Sequence, residues 1–481
     1  METQPQNSEN TENIKKKSIW NLSELLKWYD LGLLPINKNQ DIEYYCSFLG
    51  AYEIACNFQG VAPLVHGPSG CIESFVATRP YPGNSKKFTP KCLSTDMTLK
   101  DIVYGAAGKL GEAILKTDST LHPNLILILT NCCADIIGED VEAIAKKVST
   151  TVQADILNIE TGGCSGKGFR EGADIVFKAL FDHVASRTTL PAKGTDPSVN
   201  IFTKRLSGRP AEVNEVNELS RLLNKGGIKT NTVIRLGTEY EDLLAIPRGH
   251  ANISLCYLFG DEPMKYLNTL FNQPYIATTF PIGLKATLEW LGKIQAAVGM
   301  EQKDLRDDPE VDRYQKKIDA ARQKYEGREA FIWMPGEKGL AMARFAVELG
   351  MKPCLFTMSY LAVEELQETL KLLIKDGYDF KTILTGKHEF LKEYQDMDPA
   401  ERPILFMPRK FWTGDLPTAT INCFADSILG LKGIDYLLDS IDNAVKTAGK
   451  KDYGLFNRYV EDRYHAKKWD LDGPVVSQVR N

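Results

Sequence analysis

Short apolar runs bounded by glycine, proline or asparagine recur along this chain, and helical patterns fill most of the gaps between them. Val61 to Val65, Leu125 to Thr130, Asp155 to Ile159, Thr232 to Leu236, Ile253 to Tyr257, Ala330 to Met334, Pro353 to Met358 and Ile404 to Met407 read as buried parallel strands. Apolar residues recur at three- and four-residue steps over Asp140 to Ser149, Glu212 to Lys225, Leu284 to Val298, Gly339 to Leu349 and Ala362 to Asp376, which predicts helices there. Strand, loop and helix in that alternation imply an α/β architecture with several doubly wound sheets. At 481 residues and roughly 150 per domain, about three domains are expected. Breaks fall near Pro191 to Pro197 and in the charged stretch Glu301 to Arg328, which reads as a solvated connecting helix.

A hydrophobic content of 43%, 25% charged residues and a net charge of -5 describe an ordinary globular chain and give no reason to expect nucleic acid. Residues 1–17 lack the apolar core of a signal peptide, and no run of 18 or more apolar residues occurs. A cytoplasmic protein with no membrane segment is the expectation. Ten cysteines in a reducing compartment are small buried hydrophobes, reactive thiols or metal ligands rather than disulfides. Seven of the ten precede residue 165, which points any metal site to the N-terminal third.

Four of those seven sit at or near turns that follow expected strands: Cys46, Cys71, Cys132 and Cys164, with 24, 60 and 31 residues between them. In Val61-Ala-Pro-Leu-Val-His-Gly-Pro-Ser-Gly-Cys71 a strand enters a turn bounded by Gly67 and Gly70, so backbone can approach a bulky group and the thiolate stands at a helix start. The construction recurs in Leu125-Ile-Leu-Ile-Leu-Thr-Asn-Cys132-Cys133, followed by Gly138 and a capped helix with acidic residues in its first turn. Cys164 lies among glycines past a third strand, and Cys46 enters from the N-terminal arm. A single cysteine after a strand is more often a core filler than a ligand, and four such positions bring the two readings level. Zinc is disfavoured because short-spaced Cys-x-x-Cys pairs are absent, whereas iron-sulfur clusters tolerate ligands from distant loops. Ligands without a compact motif also suggest that a partner subunit completes the cluster. Gly162-Gly-Cys-Ser-Gly-Lys-Gly lacks the four-residue gap and the hydroxyl residue of a phosphate loop, so no nucleotide site is expected there. His66 alone reads as a structural histidine.

Cys46-Ser-Phe-Leu-Gly-Ala, Val65-His-Gly-Pro-Ser-Gly-Cys71, Ser94-Thr-Asp-Met97 with Gly105, and Thr130-Asn-Cys132 leading to Ile137-Gly138-Glu-Asp140 together resemble the nitrogenase component 1 family. That family includes both subunits of the dinitrogen-reducing protein, cofactor-assembly scaffolds and the dark-operative protochlorophyllide reductase subunits. The resemblance runs from about residue 40 to about residue 445. Cys56, the segment from Phe280 to Leu291, Pro335-Gly-Glu-Lys and Val347-Glu-Leu-Gly-Met look more like the beta-type chains. The resemblance implies that Cys46, Cys71 and Cys132 hold half of a P-cluster at a subunit interface. Cys164 falls close to a cluster-ligating serine of the beta-type chain, and this departure leaves open a P-cluster-like 8Fe-7S centre or a 4Fe-4S cluster. Gly70 and Gly138 are the implied cofactor-contacting glycines. Cys256, eighteen residues before Pro274, has the spacing of the cofactor-ligating cysteine of alpha-type chains, against the plainer reading of a core cysteine in a buried strand. No histidine occurs between His388 and His465, which argues against a complete dinitrogen-reducing cofactor site on this chain. Cys423 reads as packing.

The resulting expectation is α/β, with three doubly wound parallel-sheet (Rossmann-like) domains around a central cleft. The expected divisions are an arm over 1–40, a cluster-binding domain over 41–192, a second domain over 198–300, the connecting helix over 301–328, a third domain over 329–448 and a tail over 449–481. The tail, after an amphipathic helix from Gly433 to Thr447, is a candidate to wrap a neighbouring subunit. The resemblance implies a reductase subunit that relays electrons from an ATP-hydrolysing homodimeric iron protein through the iron-sulfur cluster. Its expected partner is a homologous alpha-type subunit in an α2β2 complex. The resemblance further implies a nitrogenase-type iron-sulfur cofactor on this chain or that partner, with dinitrogen, a tetrapyrrole or a carbon-sulfur compound as the candidate substrates. The alternative function is a scaffold for assembling such a cofactor.

Overall fold

A computed structural model of the chain describes residues 19–30, 46–73, 93–188, 193–203, 210–255, 261–276, 278, 280–303, 305, 307–334, 336–356, 370–371, 373–383, 403–407, 420–422 and 426–447. Strand β1 (Ile19–Asn21) and helix α1 (Leu22–Asp30) come first. Helix α2 (Ser47–Ala55) then leads through β2 (Phe58–Gln59) to β3 (Val61–His66) and β4 (Leu93–Ser94). Helices α3 (Leu99–Tyr104) and α4 (Ala107–Leu121) precede β5 (Leu125–Thr130), which is followed by α5 (Cys132–Ile137) and α6 (Val141–Ser149). Strand β6 (Asp155–Glu160) and helix α7 (Phe169–Arg187) close this part. Its sheet runs β4-β3-β5-β6, every pairing parallel. β3 and β5 are buried at all positions, which is why both read as unbroken apolar runs.

The second sheet, β10-β7-β8, is also parallel and is built from β7 (Ser198–Phe202), β8 (Lys229–Ile234) and β10 (Ala251–Ser254). Helices α8 (Pro210–Lys225), α9 (Tyr240–Leu244), α10 (Asp261–Phe271) and α11 (Leu284–Ala297) accompany it, and the two-residue β9 (Thr238–Glu239) pairs with β2. Helix α12 (Pro309–Tyr325) leads into the third part: β11 (Glu329–Trp333), α13 (Gly336–Glu348), β12 (Lys352–Phe356), β13 (Lys381–Ile383), β14 (Ile404–Met407), β15 (Thr420–Asn422) and α14 (Gly430–Thr447). Here the order is β1-β13-β12-β11-β14-β15, parallel except for β1. Three parallel sheets with helical connections establish the α/β class with Rossmann-like halves. Among the parallel strands of each sheet the chain starts at an inner strand and builds outward to both sides, so the order reverses between β3 and β5, between β7 and β10, and between β11 and β14. Such reversal points leave a crevice at the carboxyl ends of the strands.

Three particulars differ from the sequence reading. The stretch expected as a solvated connector contains α12, which buries Val311, Tyr314, Ile318, Ala321 and Tyr325. That stripe follows a strict three-four spacing, but it is one residue wide and was hidden among charges. The N-terminal arm supplies β1 as an antiparallel edge of the third sheet. Strand β7 was not expected because Ser198 and Asn200 interrupt its apolar character; Asn200 is fully buried and donates to Ile246 O at 3.0 Å and Asn252 Oδ1 at 2.8 Å. The expected helix from Ala362 to Asp376 lies largely outside the described residues, as do Cys256, Cys423 and the tail. Apolar side chains of the second and third sheets form one continuous buried cluster. Among the described residues, no helix is long and apolar enough to cross a membrane.

Candidate functional site

The carboxyl ends of β3, β5 and β6 carry the thiols. Beyond β3, Ser69 O receives Ile72 N at 2.9 Å and Glu73 N at 3.1 Å, so a helix begins at Gly70 and Cys71 stands in its first turn. Beyond β5, Asn131 caps α5 by accepting from Cys133 N at 3.0 Å, which places Cys132 at the first helical position. Beyond β6, Gly163–Ser165 form a 3-10 turn that holds Cys164 at the surface. Cys46 caps α2 and forms an antiparallel bridge with Gly168 just before α7.

Hydrogen bonds tie these four segments together. Asn131 N donates to His66 O at 3.2 Å, and its side-chain amide reaches Cys71 Sγ at 3.9 Å. Thr161 Oγ1 donates to Thr130 O at 2.5 Å, and Ser47 Oγ to Thr161 O at 2.8 Å. Gly162 N donates to Asp135 Oδ2 at 2.9 Å. Close approach explains the glycine pair: a Cβ on Gly162 would meet Asp135 Oδ2 at 1.9 Å, and one on Gly163 would meet Cys46 Cβ at 2.4 Å. The glycines that superficially suggest a phosphate loop therefore let the Cys164 turn lie against both Cys46 and α5.

Electrostatics give the same proximity. Burial pushes the Cys71 thiol up, and charge on Cys46, Cys132 and Cys133 pushes it further. Cys164 is raised first by its hydrogen bond with Cys132, then by the charge of that thiol, with Asp135 and Cys133 contributing less. Cys46, Cys71, Cys132 and Cys164 therefore come together. Cys133 joins them, a thiol that the sequence reading left unassigned although its adjacency to Cys132 was visible. Gly138 terminates α5 in the left-handed conformation at φ 66°, and a Cβ on either Gly70 or Gly138 would meet nothing within 4 Å.

The donor set suits a multi-iron cluster: soft thiolates converge from separate loops, and Cys71 and Cys164 are exposed on the outer side. No group of three or more His, Cys, Asp or Glu side chains among the described residues is arranged to hold a single metal ion. A cavity of about 290 Å³ lies apart, between α11, α12 and α13, lined by Lys285, Arg322, Arg344, Glu348 and Tyr378 among others and containing no cysteine. Beside the thiols, the surface carries apolar groups: Leu99, Val103 and Tyr104 on α3 and Ile136 on α5 are 72–82% exposed. Met97, Ala106 and Ala134 form a small buried cluster associated with these two helices.

A family model for nitrogenase component 1 type oxidoreductases matches residues 46–401. A light-independent protochlorophyllide reductase chain of Synechococcus sp. is 26% identical over 270 residues, covering 55% of this chain and 52% of that protein. The nitrogenase iron-molybdenum cofactor biosynthesis protein NifE of Clostridium pasteurianum is 24% identical over 315 residues, covering 64% and 66% respectively. The chain thus spans about half the length of the first relative and about two thirds of the second. Among solved structures, nitrogenase Cp1 at pH 5 matches with a TM-score of 0.60 and 17% identity, over 88% of this chain and 91% of that one. At that identity the likeness concerns the fold.

Proposed function

This chain belongs to the nitrogenase component 1 type oxidoreductases, and on that premise we propose that it is a subunit of a nitrogenase-like reductase that relays electrons through an interfacial iron-sulfur centre. The observation that carries the reading is the meeting of Cys46, Cys71, Cys132 and Cys164, from four segments far apart in sequence, at the reversal point between β3 and β5. These four thiols would hold the cluster, which when bound supplies one-electron transfer. The protein's own contribution is to fix the loops, to direct the Asn131 amide at Cys71 Sγ and to leave the outer face open to a partner chain. Gly70 and Gly138, whose Cα positions face open space, are the backbone points where the cluster or its partner would approach.

The partners in this reading are an alpha-type subunit and an ATP-hydrolysing iron protein that delivers electrons. Leu99, Val103 and Tyr104 form an apolar face near the thiols, where a docked donor would have the short path that electron transfer requires. Cys256 immediately follows the described residues at the end of β10 and is proposed as a cofactor-side thiol on the strength of its spacing alone.

A second reading, a scaffold that holds a cofactor precursor and hands it on, is favoured by the comparable similarity to NifE. Iron and sulfide analysis of the anaerobically purified protein tests what both readings share. Cys71→Ala and Cys132→Ala should lose iron and sulfide relative to the parent; equal iron in all three samples would refute the ligand assignment. Assay of the complex with its iron protein and ATP separates the two, because a scaffold will not sustain multiple turnovers of reduction.

A further inference from the structure

The loops bearing Cys71 and Cys132 leave different strands, and one buried side chain joins them. His66, the last residue of β3, is 0% exposed. Its Nε2 lies 2.7 Å from Glu139 Oε2, just past α5, and its Nδ1 lies 3.1 Å from Thr95 Oγ1 on the loop after β4. Both partners are committed further. Thr95 Oγ1 accepts from Gly67 N at 3.1 Å, and Glu139 Oε1 accepts from Ala106 N at 2.7 Å. Nε2–H donating to the carboxylate leaves Nδ1 able to accept the Thr95 hydroxyl proton while that oxygen receives Gly67 N–H, so one ring satisfies both neighbours.

We propose that His66 is a positioning residue whose ring, held between Thr95 and Glu139, sets the spacing of the Cys71 loop against the Cys132 helix and thereby the retention and spectroscopic character of the cluster. This rests on the reading that Cys71 and Cys132 are cluster ligands. His66 touches no thiol in the hydrogen-bond network; it acts through Gly67 on one side and through Glu139 on the other. Backbone bonds reinforce the arrangement, because Met97 N donates to Gly67 O at 3.1 Å and Thr95 N to Val65 O at 2.9 Å. Removing the ring leaves a buried carboxylate oxygen and a buried hydroxyl without their shared partner, which is a cost the loops can relieve only by moving.

The test compares His66→Phe, which keeps the ring volume without its nitrogens, with His66→Gln, which retains a donor for Glu139. In the iron-loaded protein, His66→Phe should lose iron to a chelator about tenfold faster than the parent and alter the electron paramagnetic resonance line shape of the reduced cluster, while His66→Gln stays within about threefold of the parent. In cluster-free protein, iodoacetamide should modify Cys71 about threefold faster in His66→Phe, read by peptide mass spectrometry, with thermal unfolding reporting the fold. Unchanged iron release, line shape and Cys71 alkylation in His66→Phe would overturn the proposal. A parent protein that binds no iron at all would sink the cluster reading instead, and the alkylation rates would still decide whether His66 orders the Cys71 loop.

Discussion

Asp174, on α7, shows how one side chain ties stability to pH in this protein. Its side chain is 13% exposed, its Oδ1 has no hydrogen-bond partner among the described residues, and Arg170 Nε stands 3.9 Å from Oδ2. Burial pushes its carboxyl up to a pKa of about 7; Arg170 opposes the shift incompletely, and Glu262 adds to it. Between about pH 4 and pH 7 the folded chain therefore keeps a proton that the unfolded chain releases, and stability falls as pH rises through that window. Asp174→Asn should melt higher than the parent at pH 8 by an amount worth up to about 4 kcal/mol, and the advantage should vanish near pH 4. Melting curves at the two pH values check it, and an equal advantage at both would show that ionisation is not the cause. At this scale the sequence pointed to four thiols whose loops the fold brings side by side, and it left Cys133 unassigned. Nor could it show that His66 has two buried partners, because Thr95 and Glu139 lie 29 and 73 residues away.

Helices α2 and α7 approach backbone to backbone, and this packing holds Cys46 in place. A Cβ on Gly172 would sit 1.8 Å from Ser47 O, and one on Gly50 1.8 Å from Phe169 O. Gly172→Ala must push the helices apart, at a cost of about 1–3 kcal/mol. It should also displace Ser47 and its neighbour Cys46, lowering iron retention along with stability. Gly108→Ala on α4 is the control, since its Cβ would meet nothing within 4 Å and the helix propensity gain is about 0.5–1 kcal/mol. Urea unfolding of both variants checks the contrast, and a Gly172→Ala protein as stable as the parent would contradict the close contact. The elements themselves were legible where one physical signal dominated. β5 and β14 coincide with their apolar runs, and Asp140 caps α6 by accepting from Ala143 N at 2.9 Å. β1, β4 and β15 span two or three residues each, too short for any periodicity to register.

For the whole molecule, the proposed function would seat the electron donor on the exposed side chains near the thiols. Tyr104 is 80% exposed and Leu99 82%, beside helix α5. Tyr104→Glu should leave iron content and unfolding unchanged and raise the concentration of iron protein needed for half-maximal reduction by about tenfold. Steady-state kinetics with varied iron protein checks this; unchanged kinetics would remove α3 from the donor-docking face. The α/β class, the approximate strands and the four candidate thiols were determined by sequence alone, because hydrophobic periodicity and residue chemistry are local properties that survive in one dimension. Tertiary structure decided which strands are neighbours, and so which loops meet: β4-β3-β5-β6 is an order that pairing chose, and it brings Cys71 and Cys132 to the same reversal point. It also decided that α12 is half core and that the second and third sheets share one apolar interior. Burial and convergence depend on contacts between residues far apart along the chain, and no local pattern encodes which distant partner will cover a given face.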